Sequence, residues 1–269
     1  DYINALAELG FGFIEIGTIT PRAQSGNPKP RLFRLKQDQA LINRMGFNNK
    51  GVDYLVEKVR KSNFKGILGI NIGKNADTPM DKAVNDYLIC LRKVYNYASY
   101  VTVNISSPNT KNLRDLQSAD SLNSLLSSLM TERDKLKIQH AKYVPLVLKI
   151  APDLDKEQIK AIAHVLLNNK VDAVIATNTS ISRPDSLQQK VISKESGGLS
   201  GLPIRDLSDQ VIKDLSICLK GKIPIIGCGG IMNSSDAKRK IDAGASLLQV
   251  YTGFIYNGVG LLDDVLGGL

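Results

Sequence analysis

The sequence predicts an α/β fold, a (β/α)8 TIM barrel, and three observations carry that prediction. Short apolar runs rich in β-branched residues alternate with longer amphipathic stretches along the whole of the 269 residues, and strict alternation of strand and helix means parallel strands joined by right-handed crossovers. The Gly-x-Gly-x-x-Gly that an open nucleotide-binding sheet carries directly after its first strand is absent. Finally, a barrel of this kind takes about 250 residues as one domain, so residues 1–269 are expected to form a single barrel domain.

The elements follow in order. A helix is expected over 2–9 and a strand over 12–18; a helix over 51–62 then precedes a strand over 67–72. Helix 80–97 leads to strand 101–105, helix 120–139 to strand 146–150, and helix 155–169 to strand 173–177. Helix 205–219 leads to strand 224–227, and helix 234–243 to strand 247–251. Asp120, Asp155 and Ser234 are N-cap types at three of these helix starts. Two connections exceed the usual two to six residues of a strand-to-helix loop. Residues 21–50 hold Arg31-Leu-Phe-Arg-Leu35 and Ala40-Leu-Ile42, which read as a hairpin over the mouth of the barrel. Residues 180–201 end in Gly197-Gly-Leu-Ser-Gly201, glycine-rich enough to let backbone N–H groups approach a ligand. The count of strands is seven, one short of eight, and the first helix has no strand before it to pair with. The expectation is a longer biological chain whose first barrel strand lies upstream of residue 1.

Hydrophobic residues at 43% and charged residues at 23% are ordinary for a folded protein and exclude disorder, collagen and coiled coil. The best apolar run, 144–150, is short and carries Pro145 and Lys149, so no membrane span is predicted. A net charge of +9 favours an anionic partner. The basic residues are spread along the chain and there is no Trp, which argues against nucleic acid. Three cysteines, Cys90, Cys218 and Cys228, lie too far apart for a metal-ligand pair, and with only two His, His140 and His164, no metal site is expected. Gly66 to Lys74 imitates a phosphate loop, but Asn75 stands where Ser or Thr is required.

In such a barrel the chemistry sits at the C-terminal ends of the strands. The residues there are Thr18, Asn71, Asn104 with Ser106, Ser107 and Asn109, then Lys149, Thr177-Asn178-Thr179, Gly229-Gly230 and Tyr251-Thr252-Gly253. They include no carboxylate pair and no histidine, which argues against a retaining glycosidase, a metal hydrolase and a Ser-His-Asp triad. Asn offers a donor and an acceptor in one plane, suited to the amide or imide edge of a flavin or a pyrimidine. The run Asn104 to Thr110 is also rich in turn formers and could merely end a strand. Lys149 inside an apolar strand is costly to bury unless it meets an anion, so a ligand role is favoured for it. Glu15, in mid-strand, is expected to have an internal structural partner, and Cys228 to be a small packing residue. Glycines after the 224–227 strand and the turn at Tyr251 occupy the place where these barrels commonly hold a phosphate. Phosphate, planar ring and lysine together point to flavin mononucleotide, with Lys149 at the ring edge that gains charge on reduction.

Seven segments, Asn43-Arg-Met-Gly-Phe47, Asn71-Ile-Gly-Lys-Asn75, Asn104-Ile-Ser-Ser-Pro-Asn-Thr110, Lys149-Ile-Ala-Pro152, Ala176-Thr-Asn-Thr179, Gly197-Gly-Leu-Ser-Gly201 and Gly227-Cys-Gly-Gly-Ile231, stand in this order. Together they resemble class 2 dihydroorotate dehydrogenases, the quinone-linked, membrane-associated type. The resemblance implies oxidation of dihydroorotate to orotate in pyrimidine (UMP) biosynthesis, with hydride transfer to flavin mononucleotide and reoxidation by a quinone. It implies that Ser107 removes the C5 proton while hydride leaves C6, with Thr110 and the loop to Leu116 as candidates for a proton relay and a closing loop. Class 1 members carry cysteine at this position, so Ser107 itself argues for class 2. Asn43, Arg44, Met45, Gly46, Phe47, Asn104, Asn109, Asn178 and Thr179 would bind substrate. Thr18, Asn71, Asn104, Lys149, Thr177, Gly201, Gly230, Tyr251 and Thr252 would bind the flavin.

Family members also have, upstream of Asp1, the first strand, a substrate-binding lysine and a pair of helices that shape a quinone tunnel. Membrane contact is expected to be peripheral and to run through that upstream segment, at the cytoplasmic face of the cell membrane in a bacterium or at the inner mitochondrial membrane in a eukaryote. Two rival readings fit the barrel. A flavin-dependent reductase of pyrimidines or tRNA uridines would place a different acid where Ser107 stands, and a non-catalytic anion-binding barrel would be colourless.

Overall fold

The computed structural model describes residues 2–269. A short helix, α1 (Ile3–Ala7), precedes β1 (Phe13–Ile19), and a hairpin of β2 (Leu32–Leu35) and β3 (Ala40–Asn43) follows. Then come α2 (Val52–Arg60), β4 (Ile67–Ile72), α3 (Ala83–Val94), β5 (Tyr100–Asn104), α4 (Ala119–His140), β6 (Leu146–Ile150), α5 (Lys156–Asn168) and β7 (Ala173–Ala176). The chain continues through β8 (Gly198–Gly201), α6 (Arg205–Leu219), β9 (Ile225–Cys228), α7 (Ser234–Asp242), β10 (Leu247–Gln249), α8 (Thr252–Asn257) and α9 (Gly260–Gly268). Seven strands form one sheet in the order β1-β4-β5-β6-β7-β9-β10, parallel at each pairing. No pairing between β1 and β10 occurs among the described residues.

The period of two along each strand divides the residues between two environments. Leu68, Ile70 and Ile72 of β4, Val101 and Val103 of β5, Leu146, Leu148 and Ile150 of β6, and Val174 of β7 join the helices in one large apolar cluster. The alternate residues Tyr100, Val147, Ala173, Ile175, Ile226 and Cys228 form a separate inner cluster with Phe13. The same inner register continues to the C-terminal ends, where Asn71, Asn104, Lys149 and Thr177 stand two residues beyond Gly69, Thr102, Val147 and Ile175. Polar residues at these ends therefore point into the curl of the sheet.

Two N-caps differ from expectation and one holds. Asp155 caps α5 in a full capping box with Gln158, whereas α4 begins after Ser118 rather than at Asp120. At α7 the cap is Asn233, whose side chain accepts the Asp236 N–H at 2.9 Å, so Ser234 is the first helical residue. Helix 80–97 is broken, with a 3-10 turn over Met80–Lys82 before α3. Helices α8 and α9 were not among the expected elements.

The hairpin over 21–50 is present, and it gains a third strand. Residues Gly198–Gly201, expected as a ligand-approaching loop, form β8, antiparallel to β3, with Ala40 opposite Gly201 and Asn43 opposite Gly198. Leu35, Ala40, Ile42, Leu187, Leu199 and Ile204 give this small sheet its own apolar core.

Candidate functional site

The inward residues at the strand ends are linked by hydrogen bonds across neighbouring strands. Thr18 Oγ1 donates to Asn71 Oδ1 at 2.6 Å and accepts from Asn104 Nδ2 at 3.0 Å. Asn71 Nδ2 in turn donates to Glu15 Oε1 at 2.8 Å. The other oxygen of Glu15 accepts from Thr102 Oγ1 at 2.8 Å and Tyr100 Oη at 3.1 Å, so the mid-strand carboxylate has its internal partners, all of them neutral donors. Asn104 is held from behind as well, because the buried Tyr87 hydroxyl donates to its carbonyl at 2.8 Å.

Beyond β5 the chain turns sharply. Asn104 Oδ1 accepts from the Ser106 N–H and hydroxyl, each at 3.2 Å, and Asn178 Nδ2 donates to Ser106 Oγ at 3.0 Å and to Asn104 Oδ1 at 3.3 Å. Ser107, 5% exposed, accepts from the Asn109 N–H at 3.2 Å. Asn109 Nδ2 donates to the carbonyl and the side-chain oxygen of Asn43 at 3.0 and 3.2 Å, which brings the hairpin segment to the β5 loop. Asn43, Ser107, Asn109 and Asn178 with Thr179 thus lie around one mouth. Thr110 Oγ1 is the exception in this network, a buried hydroxyl with no hydrogen-bond partner among the described residues. A buried hydroxyl left without a partner costs about 1–3 kcal/mol, so Thr110 Oγ1 is open to a hydrogen bond from a ligand or water.

Residues 43–47 shape the mouth largely through backbone. Gln24 Nε2 reaches the Gly46 and Phe47 carbonyls at 2.8 and 3.1 Å, and Asn27 holds the Met45 and Arg44 carbonyls at 3.1 and 2.9 Å. The Arg44 guanidinium pairs with Glu195 at 2.7 Å and lies 4.6 Å from the Phe33 ring centroid, so its charge is already met within the chain. A polar cleft lined by Gln24, Asn27, Gly46, Asn75 and Asn109 opens on this side.

On the opposite side, Lys149 Nζ donates to Gln249 Oε1 at 2.8 Å and has no carboxylate partner among the described residues. A half-buried ammonium with only a neutral amide as partner favours the approach of an anion. Thr177 is 1% exposed, its N–H donating to the Cys228 carbonyl at 2.6 Å. Cys228 packs in the inner cluster, and burial pushes its thiol up. Gly230 follows β9 at φ +74°, where a Cβ would stand 2.5 Å from Arg205 Cα. Only glycine lets this loop run against the start of α6. The loop is held there by Asp236, which accepts the Met232 N–H at 3.0 Å and pairs with Arg205 at 2.9 Å. Thr252 Oγ1 donates to Ser200 Oγ at 2.9 Å beside Gly201, while Tyr251 stands at the start of α8 with 71% of its surface exposed. Gly198 has a different reason from ligand approach. A Cβ there would lie 2.0 Å from Thr179 Oγ1, so glycine is what lets β8 close over Thr179.

Sequence reasoning missed two residues at this site, Arg114 and Asp153. Arg114 donates to the Ser106 and Thr179 carbonyls at 3.0 and 2.8 Å and to Asp153 at 2.8 Å. No group of three or more His, Cys, Asp or Glu that could hold a metal ion occurs among the described residues, and no helix there is long and apolar enough to cross a membrane.

A family model described as Dihydroorotate dehydrogenase matches residues 1–269. A protein of Nitrosomonas eutropha named Dihydroorotate dehydrogenase (quinone) is 61% identical over 264 residues, 98% of this chain and 77% of that protein. One of the same name from Dechloromonas aromatica is 62% identical over 268 residues, 98% of this chain and 77% of that protein. Among solved structures, the Eimeria tenella DHODH in complex with ferulenol superposes with a TM-score of 0.91 at 40% identity, covering 97% of this chain and 75% of that one. The curled seven-stranded sheet and its outer helices are accordingly those of a (β/α)8 barrel.

Proposed function

The chain belongs to the dihydroorotate dehydrogenase family, and from that premise we propose that its resident flavin is flavin mononucleotide and that Ser107 is the base of the reaction. It is a flavin-dependent oxidoreductase of pyrimidine biosynthesis that oxidises dihydroorotate to orotate with a quinone as electron acceptor. The observation that carries the residue assignment is the ring of inward-facing polar groups, with Lys149 and the Thr110 hydroxyl left short of partners.

Thr18, Asn71, Asn104, Lys149 and Thr177 would hold the flavin ring, and Gly201, Gly230, Tyr251 and Thr252 its ribityl phosphate side. Lys149, with no carboxylate partner among the described residues, suits the ring edge that carries negative charge after reduction. Flavin mononucleotide, when bound, supplies the acceptor for the hydride leaving C6 of the substrate. Asn43, Asn104, Asn109, Asn178 and Thr179, with the backbone of 44–47, present planar donors and acceptors that match the imide and carboxylate edges of a pyrimidine acid. Ser107 takes the C5 proton. A serine hydroxyl is a weak base at its ordinary pKa, so its own proton must move on. Thr110 Oγ1, three residues along and without a partner among the described residues, would relay that proton, accepting it from Ser107 directly or through a water while passing its own hydrogen on to solvent.

The barrel reads as one flavin-binding domain over 1–269. We propose a peripheral association of the protein with the cytoplasmic face of the membrane. No role in binding nucleic acid is proposed. The test is chemical identification of the flavin released on denaturation, together with orotate formation in the presence of a soluble quinone. Flavin mononucleotide and orotate are expected; flavin adenine dinucleotide, or no orotate, would overturn the assignment.

A further inference from the structure

We propose that Arg114 is a positioning residue for the dehydrogenation, a three-way clamp that holds the loop carrying the base in register with the loop carrying the substrate amide. The inference rests on the roles given above to Ser107, Asn178 and Thr179. Its own basis is the guanidinium geometry. Nε donates to the Ser106 carbonyl at 3.0 Å, Nη2 to the Thr179 carbonyl at 2.8 Å, and Nη1 to Asp153 Oδ2 at 2.8 Å. Ser106 is peptide-bonded to the base, Thr179 is itself a substrate residue, and Asp153 lies in the loop after β6 that follows Lys149. One side chain thus joins the loops after three successive strands of the barrel, β5, β6 and β7.

The clamp is anchored at both ends. Asp153 also accepts from the Ser180 hydroxyl and, at 3.0 Å, from the Ile181 N–H, so the carboxylate grips the loop that Arg114 grips. Arg114 sits in a 3-10 turn, Leu113–Gln117, whose Leu113 and Leu116 are buried. Gln117 Oε1 accepts the Ala151 N–H at 2.9 Å, fixing the turn to the β6 loop by a second, independent bond. A planar fork of five donors serves three acceptors in one plane, which the single ammonium of lysine cannot do. Arg114 and Asp153 side chains are 19% and 14% exposed, so the pair is partly screened, and what it contributes is direction. Directional control matters because a displacement of about 1 Å at reacting groups can cost on the order of a hundredfold in rate.

The experiment uses the flavin-loaded full chain and its R114Q, R114K and D153N variants. Three quantities are read for each: the anaerobic rate of flavin bleaching by dihydroorotate, orotate affinity from the flavin spectrum, and flavin content with Tm. R114Q is expected to slow bleaching by about tenfold to a hundredfold and to weaken orotate binding while keeping its flavin. R114K should recover little of the rate, and D153N should fall between R114Q and the parent. Parent-like bleaching and orotate affinity in R114Q would overturn the clamp, as would rate losses in R114Q and D153N that merely track lost flavin and lowered Tm. Failure of dihydroorotate to bleach the parent would instead overturn the functional assignment on which the clamp rests.

Discussion

Lys149 on β6 and Gln249 on β10 are hydrogen-bonded at 2.8 Å although β7 and β9 lie between their strands in the sheet. A flat sheet spaces neighbouring strands about 4.8 Å apart, so strands three places apart meet side chain to side chain only when the sheet curls. The bond therefore reports the barrel curvature and at the same time leaves the ammonium facing a neutral partner.

Lys149→Met removes that charge but keeps the length of the side chain. The variant should fold and lose most of its flavin on purification, whereas Gln249→Leu should keep it, as read from the visible-to-ultraviolet absorbance ratio. Equal flavin in Lys149→Met and the parent would remove Lys149 from the cofactor site.

Ser107→Ala deletes the proposed base and little else, since among the described residues Ser107 Oγ takes part in one local bond, from the Asn109 N–H. Flavin reduction by dihydroorotate should slow by about a hundredfold to ten-thousandfold, the usual range for a lost acid-base group. Orotate affinity should stay within a few-fold of the parent. A variant reduced at the parent rate would take the proton away from Ser107.

Thr110→Val separates stability from function. The hydroxyl has no partner among the described residues, so replacing it by a methyl breaks no hydrogen bond among them, and thermal melting should place the variant within about 1 kcal/mol of the parent. The same change should slow flavin reduction by about tenfold or more if this hydroxyl receives the Ser107 proton. A destabilised variant with full activity would contradict both halves.

Tyr87 and Tyr100 are buried, and burial holds both phenols well above their ordinary value of 10.0, with the Glu15 charge adding to the shift at Tyr100. Because the folded value is the raised one, the stability they contribute is fully present below the unfolded value and is lost as pH climbs from there toward the raised folded value. Phenolate absorbance on alkaline titration should show the exposed tyrosines ionising first, then a cooperative step coincident with loss of near-ultraviolet circular dichroism. Smooth ionisation of all 9 tyrosines without that step would contradict the burial of these two.

How much of this was legible in the sequence depended on range. The strands were readable because their β-branched runs are local, and the inward direction of Asn71, Asn104, Lys149 and Thr177 follows from a period of two. The hairpin was readable from Arg31 to Leu35 and Ala40 to Ile42. Its third strand was not, because Gly198–Gly201 has little strand propensity of its own and is fixed by pairing with Ala40–Asn43, far away in sequence. Arg114 and Asp153 escaped for the same reason, since their bonds link residues 65 and 39 positions apart. The local signals were slight, an arginine in the loop already singled out after Ser107 and an acid in the short loop that follows Ile150, the last residue of β6. Helices α8 and α9 were hidden by the glycines that interrupt 252–268, at 253, 258, 260, 267 and 268.

That this barrel oxidises dihydroorotate through a bound flavin is tested by the visible spectrum of the purified protein under anaerobic conditions, before and after addition of dihydroorotate and without quinone. A flavin spectrum that bleaches on addition and returns when quinone follows is the predicted result. A flavin spectrum that dihydroorotate leaves unchanged, in protein whose flavin content is full, would contradict the claim.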